Sequence, residues 1–145
     1  MKFNSDFSSI YIHWPFCPYK CSFCPFVTVV GKEDFMGRYN EALKAEIERF
    51  QTTGKKQKLK TIYVGGGTPS TWPEDLLLDT FDTLNKTFDL TGLEEFCLEV
   101  NPGTVSKSKL ETWKKIGINR ISIGVQSLNN DVLKAMNRDQ SEKDV

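Results

Sequence analysis

The sequence predicts an α/β fold built on a parallel sheet, and three observations carry that expectation. Four short runs rich in β-branched and aromatic residues, 9–14, 60–64, 95–100 and 120–126, read as strands. Stretches with helical spacing of apolar residues separate them. The glycine-rich and polar signals all follow strand ends, which in parallel α/β folds is the face that binds ligands.

The first strand ends at Pro15, and a cysteine-bearing loop then runs to about Gly31. From Asp34 onward Phe35, Tyr39, Ala42, Leu43, Ile47 and Phe50 recur at helical spacing, with Glu41, Lys44, Glu48 and Arg49 opposite. Gly54 and the basic run Lys55-Lys56-Gln57-Lys58 close that helix as a solvated connector. The second strand empties into Gly65-Gly66-Gly67-Thr68-Pro69-Ser70, and a helix opens at about Pro73 with Glu74 and Asp75 near its positive end. The third strand leads to the turn Asn101-Pro102-Gly103-Thr104, then to a helix capped by Ser106 or Ser108 and running to Gly117. A fourth strand precedes a helix over 129–137. Right-handed βαβ crossovers would then bring the cysteine loop, the glycine loop, Glu99 and Gln126 together.

At 145 residues the chain has the length of one domain. A complete eight-stranded barrel takes about 250 residues, so four βα units are expected to be the N-terminal part of a longer fold. Residues 140–145 look like a connector or a helix start. Lysine plus arginine and aspartate plus glutamate number 19 each, which leaves no global field to draw the chain to nucleic acid or an anionic membrane. The first seven residues lack an apolar signal core, and no segment approaches the ~18 apolar residues of a membrane span. The expected compartment is the cytosol, where the four cysteines would stay reduced.

Cys17, Cys21 and Cys24 stand in one loop, spaced C-x3-C-x2-C. Thiolates are soft ligands suited to iron-sulfur clusters, zinc or copper(I), and three of them leave one position of a cubane open. Zinc is the alternative, with His13 as a fourth ligand. Cys97, between Phe96 and Leu98, reads as a buried small hydrophobe. The triple glycine could be a tight turn only, but it also allows backbone to approach a ligand closely. A phosphate loop is disfavoured because no lysine follows, and Ser70 stands where a dinucleotide fingerprint has glycine.

The combination of Tyr11-Ile12-His13-Trp14-Pro15-Phe16-Cys17, the cysteine spacing, Gly65-Gly66-Gly67-Thr68-Pro69-Ser70, Glu99-Val100-Asn101-Pro102-Gly103-Thr104 and Asn119-Arg120-Ile121-Ser122-Ile123-Gly124-Val125-Gln126-Ser127 resembles the radical S-adenosylmethionine enzymes of the oxygen-independent coproporphyrinogen oxidase group. The resemblance runs from Tyr11 to Arg138. It implies a partial TIM barrel in which Cys17, Cys21 and Cys24 hold a 4Fe-4S cluster, and S-adenosylmethionine chelates the open iron. Reductive cleavage to methionine and a 5'-deoxyadenosyl radical would follow, with the electron supplied by a donor such as flavodoxin or ferredoxin. By the same resemblance Gly66, Gly67 and Thr68 approach the methionine moiety and Glu99 accepts from the ribose hydroxyls. Tyr11, Phe23, Gln126 and Arg138 fall on further cofactor-contact positions.

The oxidases of that group carry a further cysteine two residues after the third ligand, where this sequence has Phe26. C-x2-C-x-F and Trp14 instead resemble the HemW branch, haem chaperones that bind haem and pass it on. Haem handling there is associated with a C-terminal region outside this sequence. The segment Met136-Asn137-Arg138-Asp139-Gln140 keeps the arginine but lacks the group's usual glycine and histidine. The resemblance therefore implies a haem chaperone first, and a porphyrinogen-decarboxylating oxidase second.

Overall fold

The computed structural model describes residues 7–51 and 53–145; the leader segment 1–6 lies outside the described residues. Strand β1 (Ser9–Trp14) stops at Pro15, which has no amide proton for a ladder. The loop beyond it is less irregular than expected: β2 (Phe16–Cys17) pairs in parallel with β3 (Val29–Val30). Two further ties hold the loop's base, the Val29 amide on the Pro15 carbonyl at 2.9 Å and His13 Nε2 with the Val27 carbonyl at 2.9 Å.

A single 3-10 turn, Glu33–Phe35, leads into α1 (Met36–Glu48), so the regular helix starts slightly later than its periodicity suggests. Strand β4 (Thr61–Gly66) follows, then α2 (Glu74–Thr87). Pro73 stands at the N-cap of α2 rather than inside its first turn, and Glu74 and Asp75 face the positive helix end. Strand β5 (Glu95–Val100) leads to α3 (Lys107–Lys115), where the Ser106 hydroxyl accepts from the Lys109 amide. The helix closes before Gly117, whose φ of +89° suits glycine.

The expected strand over 120–126 is cut short: β6 covers Arg120–Ile123. Gly124 still donates to the Val100 carbonyl at 2.8 Å, but the chain then turns, and Gln126 adopts φ +64°. Helix α4 (Asn130–Ala135) is capped by the Asn129 side chain, which accepts from two amides. Asn137, at φ +54°, supplies the left-handed residue that ends it. A 3-10 turn, Glu142–Asp144, occupies the expected connector.

The four long strands form one parallel sheet in the order β1-β4-β5-β6. Alternate side chains point to opposite faces. Ile12, Trp14, Ile62, Val64, Phe96, Leu98 and Val100 lie on the face that packs into the helix-side core with Leu77 and Leu84 of α2. Trp14 stacks on Trp72 with centroids 4.3 Å apart, and Trp72 Nε1 donates to Asn40 Oδ1, as does the Thr80 hydroxyl. Cys97 is buried, as expected of a small hydrophobe.

Candidate metal centre

The opposite sheet face and the loops at the strand ends have a different character. Tyr11, Tyr63 and Glu99 fall on that face, and Tyr11 stacks on Tyr63 at 6.1 Å. The Tyr63 hydroxyl donates to Glu99 Oε1 at 2.6 Å. That hydrogen bond to a carboxylate, followed by burial, pushes the Tyr63 phenol up to about 12. The Gly66 amide donates to Glu99 Oε2 at 3.2 Å, so both carboxylate oxygens are oriented while each keeps a lone pair.

A cavity of about 240 Å³ opens beside Glu99. Its wall includes Cys17, Cys21 and Cys24 from the loop after β1, and Gly66, Gly67 and Thr68 from the loop after β4. Phe23, Glu99, Gln126 and Arg138 complete the expected set. Convergence at the C-terminal ends of the strands therefore holds. Tyr11 is the exception, lying outside the cavity wall and 57% exposed, with its hydroxyl on His13 Nδ1 at 3.0 Å.

The glycine loop has steric reasons for its composition. A Cβ on Gly67 would come within 2.7 Å of the Pro15 and Phe16 backbone, because Gly67 and Thr68 donate to the Trp14 and Phe16 carbonyls. Gly66 has φ +113°, and a Cβ there would sit 2.5 Å from the His13 ring. These contacts lace the glycine loop to the base of the cysteine loop.

All three clustered cysteines are free and partly exposed. The Thr68 hydroxyl donates to Cys17 Sγ at 3.5 Å, and Arg138 Nη1 to Cys21 Sγ at 3.6 Å. Burial pushes the Cys17 thiol up, against the Thr68 hydrogen bond; a bound metal overrides such a shift by deprotonating its thiol ligands. Among the described residues no group of three or more His, Cys, Asp or Glu side chains stands close enough for a single metal ion. His13, the fourth ligand of the zinc alternative, has both ring nitrogens engaged. A donor set of three thiols along one cavity wall, two of them already receiving hydrogen bonds, fits a larger multinuclear group better.

Two residues that matter here, Asn101 and Gln140, were not legible as site residues, and a third, Arg138, was legible only through the resemblance. Asn101, expected as a turn residue, reaches into the cavity. Arg138 is 7% exposed, far from the routine surface residue its position alone suggests, and donates to Asn101 Oδ1, the Gly124 carbonyl and Gln140 Oε1. Gln140 is buried beside it and donates to the Val125 carbonyl at 2.8 Å. The Asn-Pro-Gly turn after a strand end was the available signal for Asn101; nothing local marks Gln140.

A parallel sheet with clustered thiols, a glycine loop and an acidic residue converging at its strand ends defines a cofactor-binding α/β domain. The sequence profile of the Radical SAM superfamily matches residues 11–145, and the chain belongs to that family. It is 36% identical over 134 residues to the radical S-adenosyl methionine domain-containing protein 1, mitochondrial, of Danio rerio, covering 92% of this chain and 30% of the relative. It is 38% identical over 139 residues to the heme chaperone HemW of Bacillus subtilis, covering 94% of this chain and 36% of the relative. Its fold is similar to coproporphyrinogen III oxidase (HemN) from Escherichia coli, described as a radical SAM enzyme. The TM-score is 0.83 at 29% identity, over 94% of this chain and 32% of that one. The chain thus spans about a third of the length of these relatives. The fold is the N-terminal part of that barrel, as expected.

Proposed function

We propose that this chain is the cofactor-binding part of a haem chaperone of the HemW type. The observation that carries the reading is one cavity whose wall brings Cys17, Cys21 and Cys24 against Gly66, Gly67, Thr68 and Glu99. In this reading Cys17, Cys21 and Cys24 hold a 4Fe-4S cluster, and S-adenosylmethionine lies along the glycine loop. When bound, the pair supplies radical chemistry that amino acid side chains cannot.

The chain's own residues bind, orient and exclude water. Gly66 and Gly67 let backbone approach the methionine end where a Cβ would intrude. Glu99 accepts the ribose hydroxyls on the lone pairs that Tyr63 and the Gly66 amide leave open. Gln126 presents its amide from a left-handed backbone, a strained conformation of the kind that collects at functional sites. Phe23 covers the cavity with apolar surface, and Tyr11 supports Tyr63 from behind by stacking. Arg138 acts on the cluster through the Cys21 sulfur.

Haem or a porphyrinogen is the partner of the whole protein, and a flavodoxin or ferredoxin its electron donor. Balanced charge supports no role with nucleic acid. Among the described residues no helix is long and apolar enough to cross a membrane; the proposed compartment is the cytoplasm.

A second reading, oxygen-independent coproporphyrinogen oxidase, is favoured by the structural similarity to the Escherichia coli enzyme. Against it stands Phe26, 57% exposed on the cavity wall where the oxidases carry a further cysteine. Anaerobic reconstitution tests the shared part: stoichiometric iron and acid-labile sulfide are expected, and tight zinc with neither would overturn both readings. Haem binding without coproporphyrinogen conversion by the full-length protein separates the first reading from the second.

A further inference from the structure

We propose that Asn101 is a positioning residue that aims hydrogen bonds at two of the three cluster sulfurs, Cys17 and Cys21, and so raises the cluster's reduction potential. The inference rests on the cluster reading above and adds to it a hydrogen-bond relay with a defined direction.

The direction follows from one donor-only group. A guanidinium cannot accept hydrogen bonds, so the Asn101 atom facing Arg138 must be the carbonyl oxygen Oδ1, which lies 3.3 Å from both Nη1 and Nη2. The amide nitrogen is thereby turned to Thr68 Oγ1, 3.1 Å away. Since Thr68 Oγ1 receives this proton, its own proton must point elsewhere, and Cys17 Sγ accepts it at 3.5 Å. At the other end Arg138 Nη1 reaches Cys21 Sγ at 3.6 Å. One amide orientation therefore governs the donors to two sulfurs four residues apart in the loop.

The backbone that carries this amide is fixed on both sides, and so is the arginine it faces. The Asn101 backbone nitrogen donates to the Ser70 hydroxyl at 3.3 Å, and its carbonyl accepts from the Thr104 hydroxyl at 2.6 Å. Arg138 is held from behind by the Gly124 carbonyl at 2.7 Å and by Gln140. Hydrogen bonds to ligating sulfurs stabilise the more negative, reduced state of a cluster and raise its potential. Without Asn101 the Thr68 hydroxyl is free to turn from the sulfur, and Arg138 loses the acceptor that centres it.

The test uses the full-length natural chain, reconstituted anaerobically, with iron and sulfide counted and the midpoint potential read by electron paramagnetic resonance during a redox titration. Thr68→Val and Asn101→Leu are each expected to shift the potential to more negative values at unchanged iron content. Thr68→Ser, which keeps the hydroxyl, should stay at the wild-type value. The double variant should shift by less than the sum of the single shifts, because both act on the same donor to Cys17. Unmoved potentials, strictly additive shifts or a failure of serine to rescue would each overturn the assignment while leaving the cluster reading intact. Absence of a cluster in the wild type would instead remove both. Should Asn101→Leu take up no iron, the valine and serine variants of Thr68 carry the test: equal potentials in those two and the wild type would refute it.

Discussion

The two faces of the sheet are made from alternate residues of the same strands, yet they hold together by different physics. On the helix-covered face Trp14, Ile62, Val64, Phe96 and Leu98 are buried, and stability there comes from area removed from water. On the other face and at the strand ends, Tyr63, Glu99, Thr68, Asn101 and Arg138 are joined by directed hydrogen bonds around a cavity. The first arrangement tolerates a change of shape at a graded cost, whereas the second fails in steps, because removing one partner leaves a buried donor or acceptor unsatisfied. The difference teaches where substitutions will act on folding and where on ligand chemistry.

The sharpest way to separate the faces is Cys24→Ala. Complete loss of iron and sulfide after reconstitution is expected, while urea unfolding of the metal-free protein changes by within about 0.5 kcal/mol, since the side chain is partly exposed. Trp14→Ala should do the reverse, destabilising by about 3–5 kcal/mol in the same unfolding measurement, because it empties the site stacked on Trp72. Gly67→Ala links the two regions: its Cβ meets backbone at 2.7 Å, so about 1–3 kcal/mol of strain and a loosened cysteine loop are expected, read as lower stability together with reduced iron uptake.

Glu99→Gln is smaller in its effect on the fold. The phenol of Tyr63, pushed up to about 12 beside the carboxylate, should titrate closer to the ordinary value of about 10. The sign follows from linkage: a raised phenol favours the protonated form in the native state, so its contribution is complete below pH of about 10 and fades as the pH climbs toward 12. A spectrophotometric phenolate titration reads that shift, and equilibrium binding of S-adenosylmethionine should weaken on the order of tenfold. The smallest effect is Ser106→Ala, which removes a helix cap outside the cavity wall and should cost about 1 kcal/mol in thermal unfolding with no change in iron content.

Local signals read well where local physics decides. Strands β1 and β5 coincide with their β-branched and aromatic runs, and Ser106 caps α3 as its side chain allows. The cavity was legible through residues whose chemistry is rare, the thiols and the triple glycine. What escaped depends on contacts between distant segments. The apolar pattern extends the fourth strand to Gln126, but the strand ends at Ile123 and the Gly124 carbonyl accepts from distant Arg138 instead of continuing the ladder. Gln140 looks like a surface residue, as Arg138 would without the resemblance, until each is seen to satisfy the other. The β2–β3 pairing is too short to leave any periodicity.

The ties between the cysteine loop and the end of α4 also impose an order in time. The Ser22 amide binds the Met136 carbonyl at 3.2 Å, Asn137 Nδ2 binds the Lys20 carbonyl at 2.6 Å, and Arg138 reaches Cys21; the last two span 117 residues. During synthesis at about 5–20 residues per second, the thiols leave the ribosome roughly 6–23 s before the segment that shapes their loop. On the proposed reading, loading with metal would wait until four βα units have been translated, and during that interval the nascent chain would depend on a reducing milieu to keep three neighbouring thiols from oxidising.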